Sequence, residues 1–333
     1  MKILVLFDVA RRMDPQETFS AESLKEEDKP TEADVLQCLQ RLGHDVQTLA
    51  VFDNVADIVE KLKSCSPDLV FNLSESFHHD RSHEPNIPAL LELMKVRYTG
   101  SGPEALLLCK DKALAKKILA YHHVRLPNFV VSHRLSPLRR LGRFKYPAFV
   151  KPVCEESSDG ISKASFVRDE SEAIERTRFV HQKFGCDALI EEYIEGRELY
   201  VSVLGNRRRL TVFSPREIFF EHVPEDVPKF ATFHAKWNEA YRKKWGITNG
   251  PAKELPADIE RELKKLARNV YRFLKIRGFG RLDVRLTEKG ELFVIEANPN
   301  PSLAQDEDFS QSAADSGIGY DALIQAILEA AFA

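Results

Sequence analysis

Two runs, RLDVRL from Arg281 and ELFVIEAN from Glu291, carry the side chains whose types and spacing point most directly to chemistry. Leu282, Val284 and Leu286 alternate with Arg281, Asp283 and Arg285, and the second run is rich in strand formers. With the polar loop Thr287-Glu288-Lys289-Gly290 between them, they read as a β-hairpin. Pairing Leu286 with Glu291 sets Asp283 opposite Val294 and Arg281 opposite Glu296, with Arg281, Asp283, Glu296 and Asn298 on one face. Two carboxylates and an amide oxygen within roughly 5–8 Å of one another form a hard-oxygen set. Such a set suits Mg²⁺, which keeps some waters and takes further ligands from phosphates. The adjacent arginine suits an anion. The alternative is a solvated hairpin face whose charges pair casually. Against it, Glu296 closes the apolar run FVIE, where a buried carboxylate requires a cation or donors. The prolines of Asn298-Pro299-Asn300-Pro301 then stop the strand.

The rest of the chain must supply a scaffold for that hairpin. Its 333 residues, 43% of them hydrophobic, allow two or three modules with their own cores. A net charge of −3, with 30% charged residues of both signs, leaves no broad basic surface for nucleic acid. Local basic clusters, Arg139-Arg140 and Arg207-Arg208-Arg209, read as solvated turns. The opening MKILVLFDVA is too short for a signal peptide, is interrupted by Asp8, and reads as a first strand. No run approaches membrane-spanning length. Cys38, Cys65, Cys109, Cys154 and Cys186 are odd in number and show no metal spacing, as expected of reduced thiols in a cytoplasmic protein.

After the first strand comes a segment, Arg11 to Pro30, expected to be irregular. Thr31 could cap a helix through VLQCLQRLG that Gly43 stops. The strand DVQTLAVF, a helix from Val55 to Lys63 and the strand PDLVFNL follow, an alternation that implies an open α/β unit with a mostly parallel sheet. Ligands gather beyond the carboxyl ends of such strands. The loops after Phe7 and Leu73, the latter with Glu75, His78, His79, Asp80, His83 and Glu84, are therefore candidate substrate loops. The three histidines lack the fourth ligand and defined spacing of a zinc site.

From Lys110, KDKALAKKILAYHH reads as helix with its lysines on a solvated face. LPNFVVS, YPAFVKP, ASFVRD and DALIEEYI supply short strands around a helix from Ser171 to Phe184, a small α+β module. Between two of these strands, Val153 to Ser162 resembles a phosphate-covering loop, with Ser157, Ser158 and Gly160 to cradle oxygens. Glu217 to Leu255 reads as a mobile polar loop carrying Lys236. An amphipathic helix from Pro256 to Lys275 precedes the hairpin, and a final helix runs from Tyr320 to Phe332. Neither GxxxxGK[ST] nor GxGxxG occurs, which counts against P-loop, dinucleotide and protein-kinase chemistry.

Taken in order, LLELMKVRYTGSGPEALLLCKDKALAK, FVKPVCEESSDGISK, LIEEYIEGRELYVSVLG, FHAKW and RLDVRLTEKGELFVIEANPNPSL resemble the ATP-grasp superfamily. Within it they are similar to the D-alanine–D-alanine ligases, from about Leu90 to the C-terminus. The resemblance implies an N-terminal open α/β substrate domain (1–111, the pre-ATP-grasp domain). It implies that an ATP-grasp fold of two α+β subdomains follows, a central one (112–190) and a C-terminal one (191–333) with the metal site. Lys112 and Lys151 are implied to contact the ATP phosphates, beneath the Ser157-Ser158 loop. Phe149, Tyr193, Ile194, Phe230 and Ile295 would wall the adenine, with Glu191 at the base or its flanking backbone and Glu198 at the ribose. Lys236 would reach the γ-phosphate, Asp283, Glu296 and Asn298 would hold Mg²⁺ or Mn²⁺, and Arg281 would meet the oxyanion of a tetrahedral intermediate. Arg281, Lys236 and Ser157 are thus the implied catalytic residues.

The activity implied is ADP-forming ligation of a carboxylate to an amine through an acyl phosphate, by a cytoplasmic homodimer acting on small amino-acid-like molecules. Departures from the family pattern bear on those molecules. DVARRMDPQETFSAESLKEEDK replaces the family's glycine-rich Ser-Ala-Glu segment, and SESFHHDRSHEPN replaces its His-Gly and Gly-Glu-Asp-Gly loop. Trp237 stands where the family usually has tyrosine, and acidic residues around Gln305 to Phe309 replace a serine. A ligase joining other amino acids or an amino-containing metabolite therefore stands beside D-alanyl-D-alanine synthesis. A non-catalytic nucleotide-binding regulator and a phosphotransferase that forms no amide are the readings from other classes.

Overall fold

In the computed structural model, the described residues are 1–14, 16–154, 162–206, 209–224, 229–230 and 238–333. The apolar run after Met1 forms β1 (Lys2–Asp8), which lies between β2 (Asp45–Val51) and β3 (Leu69–Asn72) in a parallel sheet. Ile3 through Phe7 are wholly buried, as befits a parallel strand covered on both faces. The segment expected to be irregular contains a helix, Ala21–Glu26, because Ser20 and Ser23 close a capping box and Leu24 is buried. The next helix, Pro30–Arg41, starts with Pro30 in its first turn and Lys29 at the cap, so Thr31 is not the cap. The Thr31 hydroxyl instead lies 3.0 Å from that of Ser302.

The central sheet is antiparallel. It is built from β4 (Phe129–Ser132), β5 (Ala148–Pro152), β6 (Phe166–Val167) and β7 (Ala188–Glu192) in the order β4-β7-β5-β6. Helix Glu170–Phe184, capped by Asp169 and ended by Gly185 at φ +68°, packs on it through Ala173 and Val180.

The third sheet holds β8 (Arg197–Asn206), β9 (Arg209–Val212), β10 (Arg216–Phe220), β11 (Ile247–Pro251), β12 (Gly278–Leu286) and β13 (Leu292–Pro299). Its order is β11-β10-β8-β12-β13, with β9 also paired to β8. Glu217 to Leu255, expected as a polar loop, supplies β10, a helix over Glu239–Trp245 and β11. Ile218 and Ile247 pack on Tyr200, while Arg216 and Glu217 of β10 are buried in ion pairs with Asp308 and Arg197, and these internal charges are why the stretch looks like a loop.

Two helices tie the sheets together. Helix Lys112–Tyr121 puts Ala115 and Leu119 into the core under β8 and β12, while Ala113 packs with Val153 and Leu189 of the central sheet. Helix Tyr320–Ala330 places Leu323, Ile324, Ile327 and Leu328 in the core of the parallel sheet, against Ile3, Val5 and Phe7. Where the end of the hairpin meets the N-terminal region, Gly278 lies backbone to backbone on Gly100. A Cβ on Gly278 would sit 2.9 Å from the Gly100 Cα, so Gly278 has no room for a side chain. Among the described residues, no helix is long and apolar enough to cross a membrane.

Candidate nucleotide and metal site

The hairpin forms, in a different register from the expected one. Leu286 pairs with Leu292 and Val284 with Val294, whereas Asp283 pairs with Glu296 and Arg281 with Asn298. Two features account for the difference. The loop extends to Glu291, closed by Thr287 N donating to Glu291 O (3.0 Å) and Gly290 N donating to Thr287 O (2.9 Å). A bulge at Asp283/Val284 then leaves Ile295 as the extra residue on β13. Together they bring Arg281 and Asp283 directly across from Asn298 and Glu296, so the four polar side chains share a face as expected.

Asp283, 5% exposed, is gripped by Arg281 through Nε–Oδ1 (2.8 Å) and Nη2–Oδ2 (3.2 Å). Burial opposes the Arg281 charge, but the Asp283 carboxylate outweighs it and raises its pKa far above the ordinary value. The guanidinium lies 4.9 Å from the centre of the Tyr200 ring. Glu296 is 3.4 Å from Lys112 Nζ. Asn298 Nδ2 is buried without a hydrogen-bond partner among the described residues. Two hard carboxylates and the amide oxygen of Asn298 fit a magnesium ion that brings its remaining oxygens from water and phosphate, and the unpartnered Asn298 Nδ2 is a donor for such an oxygen. Among the described residues no three His, Cys, Asp or Glu side chains converge as a metal cluster.

Of the three lysines of helix Lys112–Tyr121, Lys117 is on the solvated face as expected, and Lys112 and Lys116 are not. Lys112 (7% exposed) and Lys116 (3% exposed) are four residues apart on one side of the helix and both turn inward. Lys116 lies 3.0 Å from Glu191 Oε2 and donates to the Ile295 carbonyl (3.1 Å) at the bulge. Lys151 on β5 forms an ion pair with the other oxygen of Glu191 on β7. One enclosed carboxylate thus sits between two enclosed ammoniums. Burial opposes the Glu191 charge, but Lys116 and Lys151 outweigh it and hold its carboxyl below the usual range. Burial likewise opposes the Lys151 charge and is outweighed by Glu191 and Glu296, whereas at Lys116 burial prevails and lowers its pKa. Among the described residues, Lys112, Lys116, Lys151 and Arg281 face Glu191, Glu296 and Asp283, four cations to three anions. The excess positive charge suits a polyphosphate.

Beside the lysines is an aromatic wall. The Phe149 ring lies 4.5 Å from Phe230 and 5.9 Å from Tyr193, and Phe166 lies 5.2 Å from Tyr193. Ile194 is buried, and Ile295 is the bulged residue. Glu198 is oriented before any ligand arrives: its Oε2 accepts from Arg285 Nη2 (2.8 Å) and its Oε1 from the Tyr200 hydroxyl (3.2 Å). Arg285 also donates to the carbonyls of Gly196 (2.8 Å) and Lys229 (2.9 Å), holding the chain next to Phe230.

Phe166, Lys116 and Arg285 were not expected in the site, although each leaves a trace in the sequence. Phe166 lies in a recognisable strand, Lys116 follows Lys112 at helical spacing, and Arg285 continues the alternation of Arg281 and Asp283. Ser157, Ser158, Lys236 and Trp237 lie outside the described residues.

A cavity of 250 Å³ lies at the carboxyl ends of β1 and β3 and reaches the residues after β13; Asp8, Glu32, Asn72, Glu75, Arg81 and Ser302 line part of it. Asp8 accepts from Glu75 N and Ser76 Oγ, both at 2.7 Å, which ties the two candidate loops together. His78 and His79 pack edge-on against Phe52. In the acidic stretch after the hairpin, Asp308 is held by Arg216 (3.0 Å) and Asn249 (2.6 Å). Burial and the neighbouring Asp308 raise the Glu307 pKa.

Parallel sheet, central antiparallel sheet and lysine-lined junction with the third sheet are the parts of an ATP-grasp fold. In agreement, the chain superposes on the crystal structure of a D-alanine–D-alanine ligase from Bacillus anthracis complexed with ATP, with a TM-score of 0.75 at 21% identity. The match covers 100% of this chain and 97% of that one. Residues 112–329 match the family model described as D-ala D-ala ligase C-terminus. An uncharacterised protein of Sinorhizobium fredii is 30% identical over 306 residues, covering 89% of this chain and 86% of that protein. The D-alanine–D-alanine ligase of Zymomonas mobilis is 30% identical over 308 residues, with coverage of 89% and 87%. The chain belongs to the D-alanine–D-alanine ligase family.

Proposed function

We infer that the chain is an ATP-dependent, ADP-forming carboxylate–amine ligase that works through an acyl phosphate. The observation that carries this reading is the convergence of Lys112, Lys151, Glu191, Asp283, Glu296 and Arg281, from both antiparallel sheets and the helix between them, with four cations to three carboxylates once Lys116 is counted.

A substrate carboxylate attacks the γ-phosphorus of ATP, the bond to ADP breaks, and an amine then attacks the acyl carbon and expels phosphate. Lys112 and Lys151 balance the phosphate charge, while Phe149, Phe166, Tyr193, Ile194, Phe230 and Ile295 wall the base. Glu198, already fixed by Arg285 and Tyr200, receives the ribose hydroxyls. Arg281 offers its charge to the oxyanion that develops when the amine attacks. Asp283, Glu296 and Asn298 would hold Mg²⁺ or Mn²⁺, which supplies further neutralisation of the phosphates. Lys236 at the γ-phosphate, with Ser157 and Ser158 in the covering loop, completes the assignment. Catalysis here is chiefly positioning and charge neutralisation.

The cavity beyond β1 and β3 receives the amino-acid-like substrates. Asp8, Glu32, Glu75 and Arg81 give it a different lining from the glycine-rich segments of the family, which favours joining amino acids other than two D-alanines. A homodimer in the cytoplasm is part of the same proposal, and gel filtration with light scattering tests the dimer. The activity is tested by measuring Mg²⁺-dependent ADP release, with mass spectrometry of the product, over a panel of D- and L-amino acids. Release of ADP with an amide product supports the ligase. ADP without an amide would instead mark a phosphotransferase, and nucleotide binding without turnover a regulator.

A further inference from the structure

The nucleotide reading assigns Lys112 and Lys151 to phosphates and leaves Lys116, the most enclosed of the three, without a task. Lys116 is 3% exposed and doubly anchored, to Glu191 Oε2 at 3.0 Å and to the Ile295 carbonyl at 3.1 Å. Among the described residues Lys151 has a single ion-pair partner, the other oxygen of the same carboxylate. Lys151 also lies two residues from Phe149 along β5, so the two side chains share a face of the strand, the face that carries the aromatic wall. Glu191 is therefore neutralised twice over, by a lysine of β5 that shares the face of the aromatic wall and by a lysine of the helix that is also bonded to the hairpin.

We propose that Lys116 is a positioning residue for the nucleotide: it is the permanent counter-ion of Glu191, which frees Lys151 to turn to a phosphate oxygen when ATP binds. The inference rests on the reading of this junction as the ATP site. Its physical basis is the cost of leaving an enclosed carboxylate bare, which exceeds what one ion pair returns. Without Lys116, Lys151 could serve the phosphate only by stripping Glu191 of its last partner.

The test compares a ligand with phosphates to one without. Dissociation constants for ATP, by calorimetry, and inhibition constants for adenosine, as a competitor of ATP, are measured for the wild type, Lys116→Met, Glu191→Gln and the double variant. Lys116→Met is expected to weaken ATP roughly 10- to 100-fold. Adenosine changes by less than about two-fold, since Lys151 then stays on Glu191. In turnover, KM for ATP rises and kcat changes little. Combined with Glu191→Gln, the Lys116→Met change costs little ATP affinity, because a neutral amide needs no counter-ion.

Equal weakening of ATP and adenosine would make Lys116 a structural prop and overturn the proposal, as would no change in either. If Lys116→Met alone does not fold, the double variant read against Glu191→Gln decides: a large further loss of ATP affinity contradicts the proposal. A wild type that binds no ATP overturns the nucleotide reading itself, whereas a wild type that binds ATP with a Lys116→Met variant just as tight overturns only this inference.

Discussion

The junction between the two antiparallel sheets and the carboxyl edge of the parallel sheet are built on opposite plans. At the junction, charges are enclosed and answer one another across elements: Lys112 with Glu296, Lys116 and Lys151 with Glu191, Arg281 with Asp283, Arg285 with Glu198. At the parallel edge the pair Arg81 with Glu75 lies in the segment after β3 and is 41% and 54% exposed. Buried pairs tolerate little change, because removing one partner strands the other. Exposed loop pairs contribute little to stability and can be replaced. If the junction is the nucleotide site and the parallel edge the substrate site, as proposed, the contrast would let the first stay fixed while the second diverges.

The largest effect that sharpens this contrast is expected at the hairpin. Arg281→Met removes the cation offered to the oxyanion and leaves Asp283 without its guanidinium partner. It should lower kcat by roughly 10²–10³-fold, read by ADP release from a variant whose circular dichroism is native. Next comes Arg285→Met, which frees Glu198 and the Gly196 and Lys229 carbonyls from one side chain. KM for ATP should rise about ten-fold, with the amino-acid KM little changed. At the other end, Arg81→Ala should alter which amino acids are accepted and leave KM for ATP within about two-fold. Equal effects of Arg81→Ala on both substrates would break the comparison.

The smallest effect concerns pH. Burial raises the Glu32 pKa above its ordinary 4.5 despite Lys29, and Asp8 adds to the rise. A carboxyl raised in the folded state favours the fold when protonated, and that contribution fades as pH rises through the folded pKa. Glu32→Gln should therefore raise the melting temperature near neutral pH, with the gain shrinking as the pH falls toward 4.5. A constant difference across that range would contradict the burial account.

Legibility in the sequence followed the same division. The hairpin and its polar face were readable because alternation depends only on strand geometry. The register was not, since it depends on where the Thr287 to Glu291 loop closes and on one bulged residue, Ile295. Lys116 escaped notice because a helix lysine is ordinarily solvated, and only the packing of three elements around it makes it internal. The strands at Arg216–Phe220 and Ile247–Pro251 are hard to read because they are short and mix polar residues, some of them buried, with apolar ones. At the parallel sheet the alternation of strand and helix gave the architecture, whereas the lining of the cavity is assembled from segments distant in sequence, Asp8, Glu32, Arg81 and Ser302.

The most direct measurement of the central claim is product analysis of the purified protein with ATP, Mg²⁺ and pairs of D- and L-amino acids, following ADP and amide together. The account predicts ADP released in a one-to-one ratio with an amide product, for at least one pair. ATP bound tightly with no ADP formed on any pair, or ADP formed with no amide, would contradict it.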